Sequence, residues 1–169
     1  GEMIVLNGGS IKSFQFTESL TPKHCIFEYI YFSRPDSKIF SENVDKIRRK
    51  FGKNLADESP APTADIVLSV PDSSNTCALG YSSRSNIKYE IGLIRNHYVG
   101  RTFIFPDQRL RDLSVRLKFN TVKGVLEGRE VVVVDDSIVR GTTLRKLAKL
   151  LREVVVVDDS IVRGTTLRK

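Results

Sequence analysis

Val131 to Thr143 reads VVVVDDSIVRGTT, and its run of four β-branched residues suits a strand buried on both faces. The run stops at two acids, Asp135 and Asp136, where a parallel strand reaches its C-terminal edge. Ligands of open α/β sheets gather at that edge. Beyond the acids, Ser137, Gly141, Thr142 and Thr143 make a hydroxyl-rich turn, and Leu144 to Arg152 (LRKLAKLLR) has the apolar spacing of an amphipathic helix. A turn rich in N–H and hydroxyl donors that opens a helix is a phosphate cradle, because the helix N-terminus carries partial positive charge. Two carboxylates beside a phosphate site then have a second task, either holding Mg²⁺ or gripping sugar hydroxyls. An ordinary strand and capped helix would account for the hydroxyls but not for the acid pair.

The rest of the composition is compatible with one such domain. At 169 residues the chain is long enough for a single core and too short for two full ones. Apolar residues make up 40% and charged residues 28%, as in globular proteins generally. No apolar run approaches membrane-spanning length and no basic-then-apolar leader opens the chain, so a cytoplasmic location without a membrane partner is expected. Cys25 and Cys77 lack CxxC spacing, so neither a disulfide framework nor a zinc site is expected, and both thiols read as buried and inert. The net charge of +7 suits a small polyphosphate ligand. Its basic residues are spread out, and KIRRK at 46–50 and RLRDLSVRLK at 109–118 read as solvated helix faces. Nucleic acid is therefore not the expected partner.

Outward from the decisive stretch, residues 1–20 read as a hairpin turning at Asn7-Gly8-Gly9. His24 to Ser37 alternates large residues and reads as a strand running into a proline turn. Ser41 is placed to cap a helix with Val44, Ile47, Phe51 and Leu55 on its buried face, and with Glu42, Asp45, Lys46, Arg48 and Arg49 facing away. Two prolines between Glu58 and Thr63 mark a loop. Ala64 to Val70 is a second apolar strand, and it too ends in an acid and hydroxyls, Pro71-Asp72-Ser73-Ser74, which face the same crevice as Asp135 and Asp136 if the strands are parallel. A helix is expected over Thr76 to Ser83, a strand over Ile87 to Ile94, and a basic loop from Arg95 to Ile104.

Four of these stretches, in this order, resemble type I phosphoribosyltransferases, and in particular the glutamine phosphoribosylpyrophosphate amidotransferase family. They are the Cys25-Ile-Phe-Glu-Tyr-Ile-Tyr-Phe-Ser-Arg-Pro-Asp-Ser37 segment, the Val-Pro-Asp-Ser turn ending at Ser73, the Arg95 to Ile104 loop, and VVVVDDSIVRGTT itself. The resemblance covers about Lys23 to Arg152. It implies an α/β fold with a mostly parallel twisted sheet and helices on both faces. It implies an amidophosphoribosyltransferase of purine biosynthesis, moving ammonia derived from glutamine onto phosphoribosyl pyrophosphate (PRPP) with release of pyrophosphate.

By the same resemblance, Asp135, Asp136, Ser137, Ile138, Val139, Arg140, Gly141, Thr142 and Thr143, with Asp72 and Ser73, bind PRPP. Ser73, Asp135 and Asp136 hold Mg²⁺, and Tyr98 and Arg101 cover the leaving group from a closing loop. His97 stands where the family more often has arginine and Arg95 where it has lysine, which weakens the loop's charge at neutral pH. The resemblance also implies that residues 1–22 are the remnant of a preceding glutaminase domain, that residues 23–152 are a C-terminally incomplete transferase domain, and that the intact enzyme is a homo-oligomer. An iron–sulfur cluster, for which Cys25 would be one ligand, is not expected in this chain. Two other readings remain open: a truncated, inactive derivative, and a PRPP-binding regulator without catalysis.

One feature lies outside the family pattern. Arg129 to Lys146 and Arg152 to Lys169 are identical over 18 positions, REVVVVDDSIVRGTTLRK. The second Val154 to Val157 run is able to serve as the next strand of the sheet. The second turn, Asp158, Asp159 and Ser160 to Thr166, lacks a full helix behind it, so residues 153–169 are expected to be non-functional.

Overall fold

Two buried strands, Ile66–Ser69 and Val131–Asp135, carry the core of the molecule, and every residue in both is buried. The computed structural model describes residues 2–16, 21, 23–98 and 119–137, and the backbone of 154–158. In chain order the elements are β1 (Glu2–Asn7), β2 (Ser10–Gln15), a π-helical turn (Glu28–Phe32), β3 (Lys38–Ile39), β4 (Glu42–Asn43) and α1 (Val44–Glu58). Then follow β5 (Ile66–Ser69), α2 (Asn75–Ser85), β6 (Lys88–Tyr89), β7 (Leu93–Arg95), β8 (Phe119–Thr121), α3 (Lys123–Leu126), β9 (Val131–Asp135) and β10 (Val154–Asp158).

The main sheet has the order β10-β9-β5-β6, and all three of its pairings are parallel. From β5 the chain passes through α2 to β6 on one side, while β9 lies on the other side of β5. The connection therefore changes direction between β5 and β9, which is where an open α/β sheet opens a crevice at its carboxyl ends. Side chains alternate across the sheet as strand geometry requires. Ile66, Leu68, Val131 and Val133 join Leu93 and Phe119 in one core cluster. Val67, Val132 and Val134 join Leu55, Cys77, Ala78 and Tyr81 of the two long helices in the other. A strand covered on both faces has no polar side to show, hence the unbroken valine run.

Helices α1 and α2 cross closely because each has glycine at the contact. A Cβ on Gly52 would lie 1.9 Å from the Cys77 carbonyl oxygen, and one on Gly80 would lie 2.2 Å from that of Arg49. Asn43 caps α1 by accepting a hydrogen bond from the Lys46 N–H at 3.0 Å. This corrects the expectation for Ser41, which sits with Phe40 at positive φ (70° and 46°) in the two-residue turn joining β3 to β4. Arg48 is also corrected. It is 2% exposed, and its guanidinium donates to the carbonyls of Tyr29 (2.6 Å) and Ser33 (2.8 Å).

Those two carbonyls belong to the segment expected to be a strand, which instead forms the π-helical turn, closed by the Ser33 N–H donating to the Glu28 carbonyl. Only Ile30 of this turn is buried. Cys25, expected to be buried, is exposed, whereas Cys77 is buried. The single strand expected over Ile87 to Ile94 splits into β6, parallel to β5, and β7, antiparallel to β8. The hairpin at the start is as expected, with β1 and β2 paired antiparallel, yet every residue in both strands is exposed. No helix among the described residues is long and apolar enough to cross a membrane.

Candidate functional site

The expected crevice is built from the ends of β5 and β9. The Val70 N–H donates to the Val134 carbonyl at 2.9 Å, so the strands stay paired until the Pro71–Ser74 turn leaves on one side and Asp135-Asp136 on the other. The structure thus brings the two acid-and-hydroxyl turns to one edge of one parallel sheet. Asp135 is 7% exposed and Asp136 6%. Asp135 Oδ1 accepts the backbone N–H of Asp136 at 2.9 Å, and Ser137 Oγ donates to Asp136 Oδ1 at 3.3 Å. Asp136 Oδ2 is buried and has no hydrogen-bond partner. A carboxylate oxygen left in that state costs on the order of 1–3 kcal/mol or more, which a bound cation or donor would recover.

The chemistry of this donor set fits a hard cation. Carboxylate oxygens from Asp135 and Asp136 and the hydroxyl of half-buried Ser73 are the ligand types that Mg²⁺ takes, typically one or two carboxylates with the rest supplied by water and substrate phosphates. Among the described residues no group of three or more His, Cys, Asp or Glu side chains converges to hold a metal alone.

On the other side of β5 the same sheet edge holds a cleft of about 190 Å³. Ser69, Asp72, Asn75, Tyr89, Arg95 and His97 line it together with apolar residues of the Glu90–Ile94 stretch, whereas Asp135 and Asp136 do not. A polar network fixes its floor: Ser69 Oγ donates to Asn75 Oδ1 at 2.7 Å and lies 2.9 Å from the Tyr89 hydroxyl. Arg95 donates to Asp72 Oδ2 at 2.8 Å, while its Nε is buried without a partner. The Arg95 guanidinium therefore ties the first residue of the expected closing loop to the turn after β5.

Sequence reasoning missed Ser69, Asn75 and Tyr89. The available signal was a lone serine at the end of an otherwise apolar strand. Of the expected leaving-group residues, Tyr98 is 99% exposed, with its backbone N–H on Asn96 Oδ1 at 3.0 Å. Arg101 and residues 138–143 lie outside the described residues, as do the expected helix from Leu144 to Arg152 and the basic stretch at 109–118. Val154–Asp158 does take the next place in the sheet, paired in register with Val131–Asp135 so that Asp158 lies opposite Asp135.

No model of a protein family matches the chain. It is similar to amidophosphoribosyltransferase 1, chloroplastic, of Arabidopsis thaliana, with 53% identity over 152 residues, 90% of this chain and 27% of that protein. It is similar to amidophosphoribosyltransferase of Bacillus subtilis, with 54% identity over 90% of this chain and 32% of that protein. Among solved structures it matches the B. subtilis glutamine phosphoribosylpyrophosphate amidotransferase complexed with ADP and GMP. There the TM-score is 0.79 and the identity 51%, over 95% of this chain and 36% of that one. A structure described as the allosteric regulatory enzyme of purine biosynthesis gives a TM-score of 0.78, also at 51% identity, over 95% of this chain and 35% of that one. The chain thus spans about a quarter to a third of the length of its curated homologues. The fold is the α/β type I phosphoribosyltransferase fold.

Proposed function

We propose that this chain, a homologue of a fragment of amidophosphoribosyltransferases, carries the PRPP-binding half of such an enzyme. The reaction is displacement at C1 of PRPP: a bond forms from ammonia nitrogen to C1, the C1–oxygen bond to pyrophosphate breaks, and the nitrogen loses a proton to give 5-phosphoribosylamine. In the whole enzyme the ammonia comes from glutamine. The observation that carries this reading is the buried Asp135-Asp136 pair at the β5/β9 direction change, with Asp136 Oδ2 unpartnered and the adjacent strand running into the Pro71–Ser74 turn.

Each residue then has a task that its chemistry suits. Residues 137–143 offer hydroxyl and backbone N–H donors to the 5-phosphate. Asp135 and Asp136 hold Mg²⁺ with Ser73, or accept hydrogen bonds from the ribose hydroxyls. When bound, Mg²⁺ supplies neutralisation of the pyrophosphate that departs. Tyr98 and Arg101 belong to the basic loop that shuts out water and adds positive charge over the leaving group. Asp72, paired to Arg95, sets where that loop begins.

The uniform exposure of Met3, Ile4, Val5, Leu6, Ile11, Phe14 and Phe16 supports the reading of residues 1–22 as part of a second, glutaminase-type unit. The second copy's turn, 158–166, is assigned no role in PRPP binding. The test is calorimetric titration with PRPP and Mg²⁺, followed by pyrophosphate release with ammonium chloride as nitrogen donor. Binding with ammonia-dependent release supports the enzyme. Binding without release points to an inactive derivative or a PRPP sensor, and a folded chain that binds no PRPP removes the site assignment.

A further inference from the structure

The two ends of the turn between β5 and α2 are tied to each other by side chains. Ser69 closes β5 and Asn75 opens α2, and Ser69 Oγ donates to Asn75 Oδ1 at 2.7 Å. A serine hydroxyl has one proton to give. With that proton on Asn75, the Tyr89 hydroxyl, 2.9 Å from the same Oγ, is the donor on its other side. The order is therefore Tyr89 to Ser69 to Asn75, a chain in which each hydrogen bond polarises the next. Tyr89 comes from β6, where it pairs with Val67, and Ser69 lies two residues farther along β5 on the same face, within reach of a phenol.

The core has no need of this chain. Ile66, Val67 and Leu68 before Ser69 are apolar and at most 1% exposed, and Val70 after it is 5% exposed, so a serine in that run buries a hydroxyl that an apolar residue would not. The middle of the turn is held from a third element, β7, where Arg95 donates to Asp72 Oδ2 at 2.8 Å. The turn is thus tied at both ends and at its middle, with Ser73 between the ties. We propose that Tyr89, Ser69 and Asn75 are positioning residues for PRPP, which hold the Pro71–Ser74 turn so that Ser73 meets the ligand in one preset geometry. They act through the turn rather than on the reacting atoms, and their role rests on the PRPP-binding reading given above. A donor already fixed in its bound position loses less freedom when the ligand arrives, which favours binding.

The test uses the full chain, with calorimetric titration of PRPP and Mg²⁺ well below the unfolding temperature and hydrogen exchange of the unliganded protein. Tyr89→Phe and Ser69→Ala are each expected to weaken PRPP binding roughly tenfold, as loss of a group that orients a ligand-holding residue does. Ser69→Thr keeps the hydroxyl and has the cleft beside it for the added methyl, so it should bind as the unaltered chain does. Adding Tyr89→Phe to Ser69→Ala should weaken binding no further, because Tyr89 acts through Ser69. In the unliganded Tyr89→Phe and Ser69→Ala chains, amides of 72–74 should exchange faster while those of 131–135 keep their protection. Variants that bind PRPP as tightly as the unaltered chain would overturn the proposal and leave the PRPP reading standing. So would a Ser69→Thr chain as weak as Ser69→Ala, additive losses in the double variant, or loss of protection at 131–135. An unaltered chain that is folded and binds no PRPP would remove the PRPP reading itself, and the positioning role with it.

Discussion

The pentapeptide VVVVD occurs twice in the main sheet, and among the described residues only the first copy has a strand on each side. Val131–Asp135 lies between β5 and β10, fully buried, and the residue before it is fixed from several directions. Glu130 donates its N–H to Asp65 Oδ2 at 2.8 Å, accepts the Asp65 N–H at 2.8 Å, and accepts the Thr63 hydroxyl at 2.6 Å. Val154–Asp158 has one strand neighbour among the described residues, β9. Identical residues therefore carry different weight because of what surrounds them. The proposed function assigns ligand binding to the acids at the direction change between β5 and β9, where the adjacent strand runs into the Pro71–Ser74 turn.

The largest effect expected concerns what packs β9 from one face. Gly80→Ala would force a Cβ against the Arg49 carbonyl, and Gly52→Ala one against the Cys77 carbonyl. Because backbone blocks both, each should destabilise by about 3 kcal/mol or more. Thermal unfolding would read this directly, and a loss below about 1 kcal/mol would show that the helices separate cheaply.

The comparison of the two copies is sharpened by matched truncations. Val133→Ala, in a side chain 0% exposed, should cost about 2–3 kcal/mol. Val156→Ala, on a strand that pairs along one side among the described residues, is expected to cost less than Val133→Ala. Equal losses in urea unfolding would break the distinction between an inner and an outer copy.

A smaller effect comes from Tyr81, which packs against Val132 and Val134 and donates its hydroxyl to the Ser59 carbonyl at 2.8 Å. Burial raises the phenol above its ordinary value of 10.0, although a backbone hydrogen bond from Ala61 works the other way. The unfolded phenol then ionises first. The Tyr81 contribution is fully present below about pH 10 and is lost as pH rises through the raised folded value. Tyr81→Phe should cost about 1 kcal/mol at neutral pH and flatten stability against pH above that point. An unchanged slope would mean another group governs it. The smallest effect is at the cleft. Arg95–Asp72 is partly exposed, 35% and 57%, and a double-mutant cycle should give a coupling of about 1 kcal/mol or less.

Much of this was legible in the sequence because local pattern and burial agree. Val131–Asp135 and Ile66–Ser69 are apolar runs that end where acids begin, and α1 keeps Val44 and Leu55 on its buried side. The misses have tertiary causes. The π-helical turn at Glu28–Phe32 is held by Arg48, 19 and 15 positions from the Tyr29 and Ser33 carbonyls it binds. No periodicity within the turn announces that partner. Ser41 failed as a cap because the β3–β4 turn takes it to positive φ, leaving Asn43 at the helix start. Of the candidate site, the placement of Asp135, Asp136 and the Pro71–Ser74 turn at neighbouring strand ends was readable from the sequence. The Ser69–Asn75–Tyr89 network and the Arg95–Asp72 link were not, since they join residues from different elements.

The most direct test of the central claim is calorimetric titration with PRPP and Mg²⁺ of two paired variants, Asp135→Asn/Asp136→Asn and Asp158→Asn/Asp159→Asn, beside the unaltered chain. The account predicts that the first pair loses binding while the second binds as the unaltered chain does, both remaining folded by circular dichroism. Loss of binding in the second pair with retention in the first would contradict it, and would move the site to the outer copy.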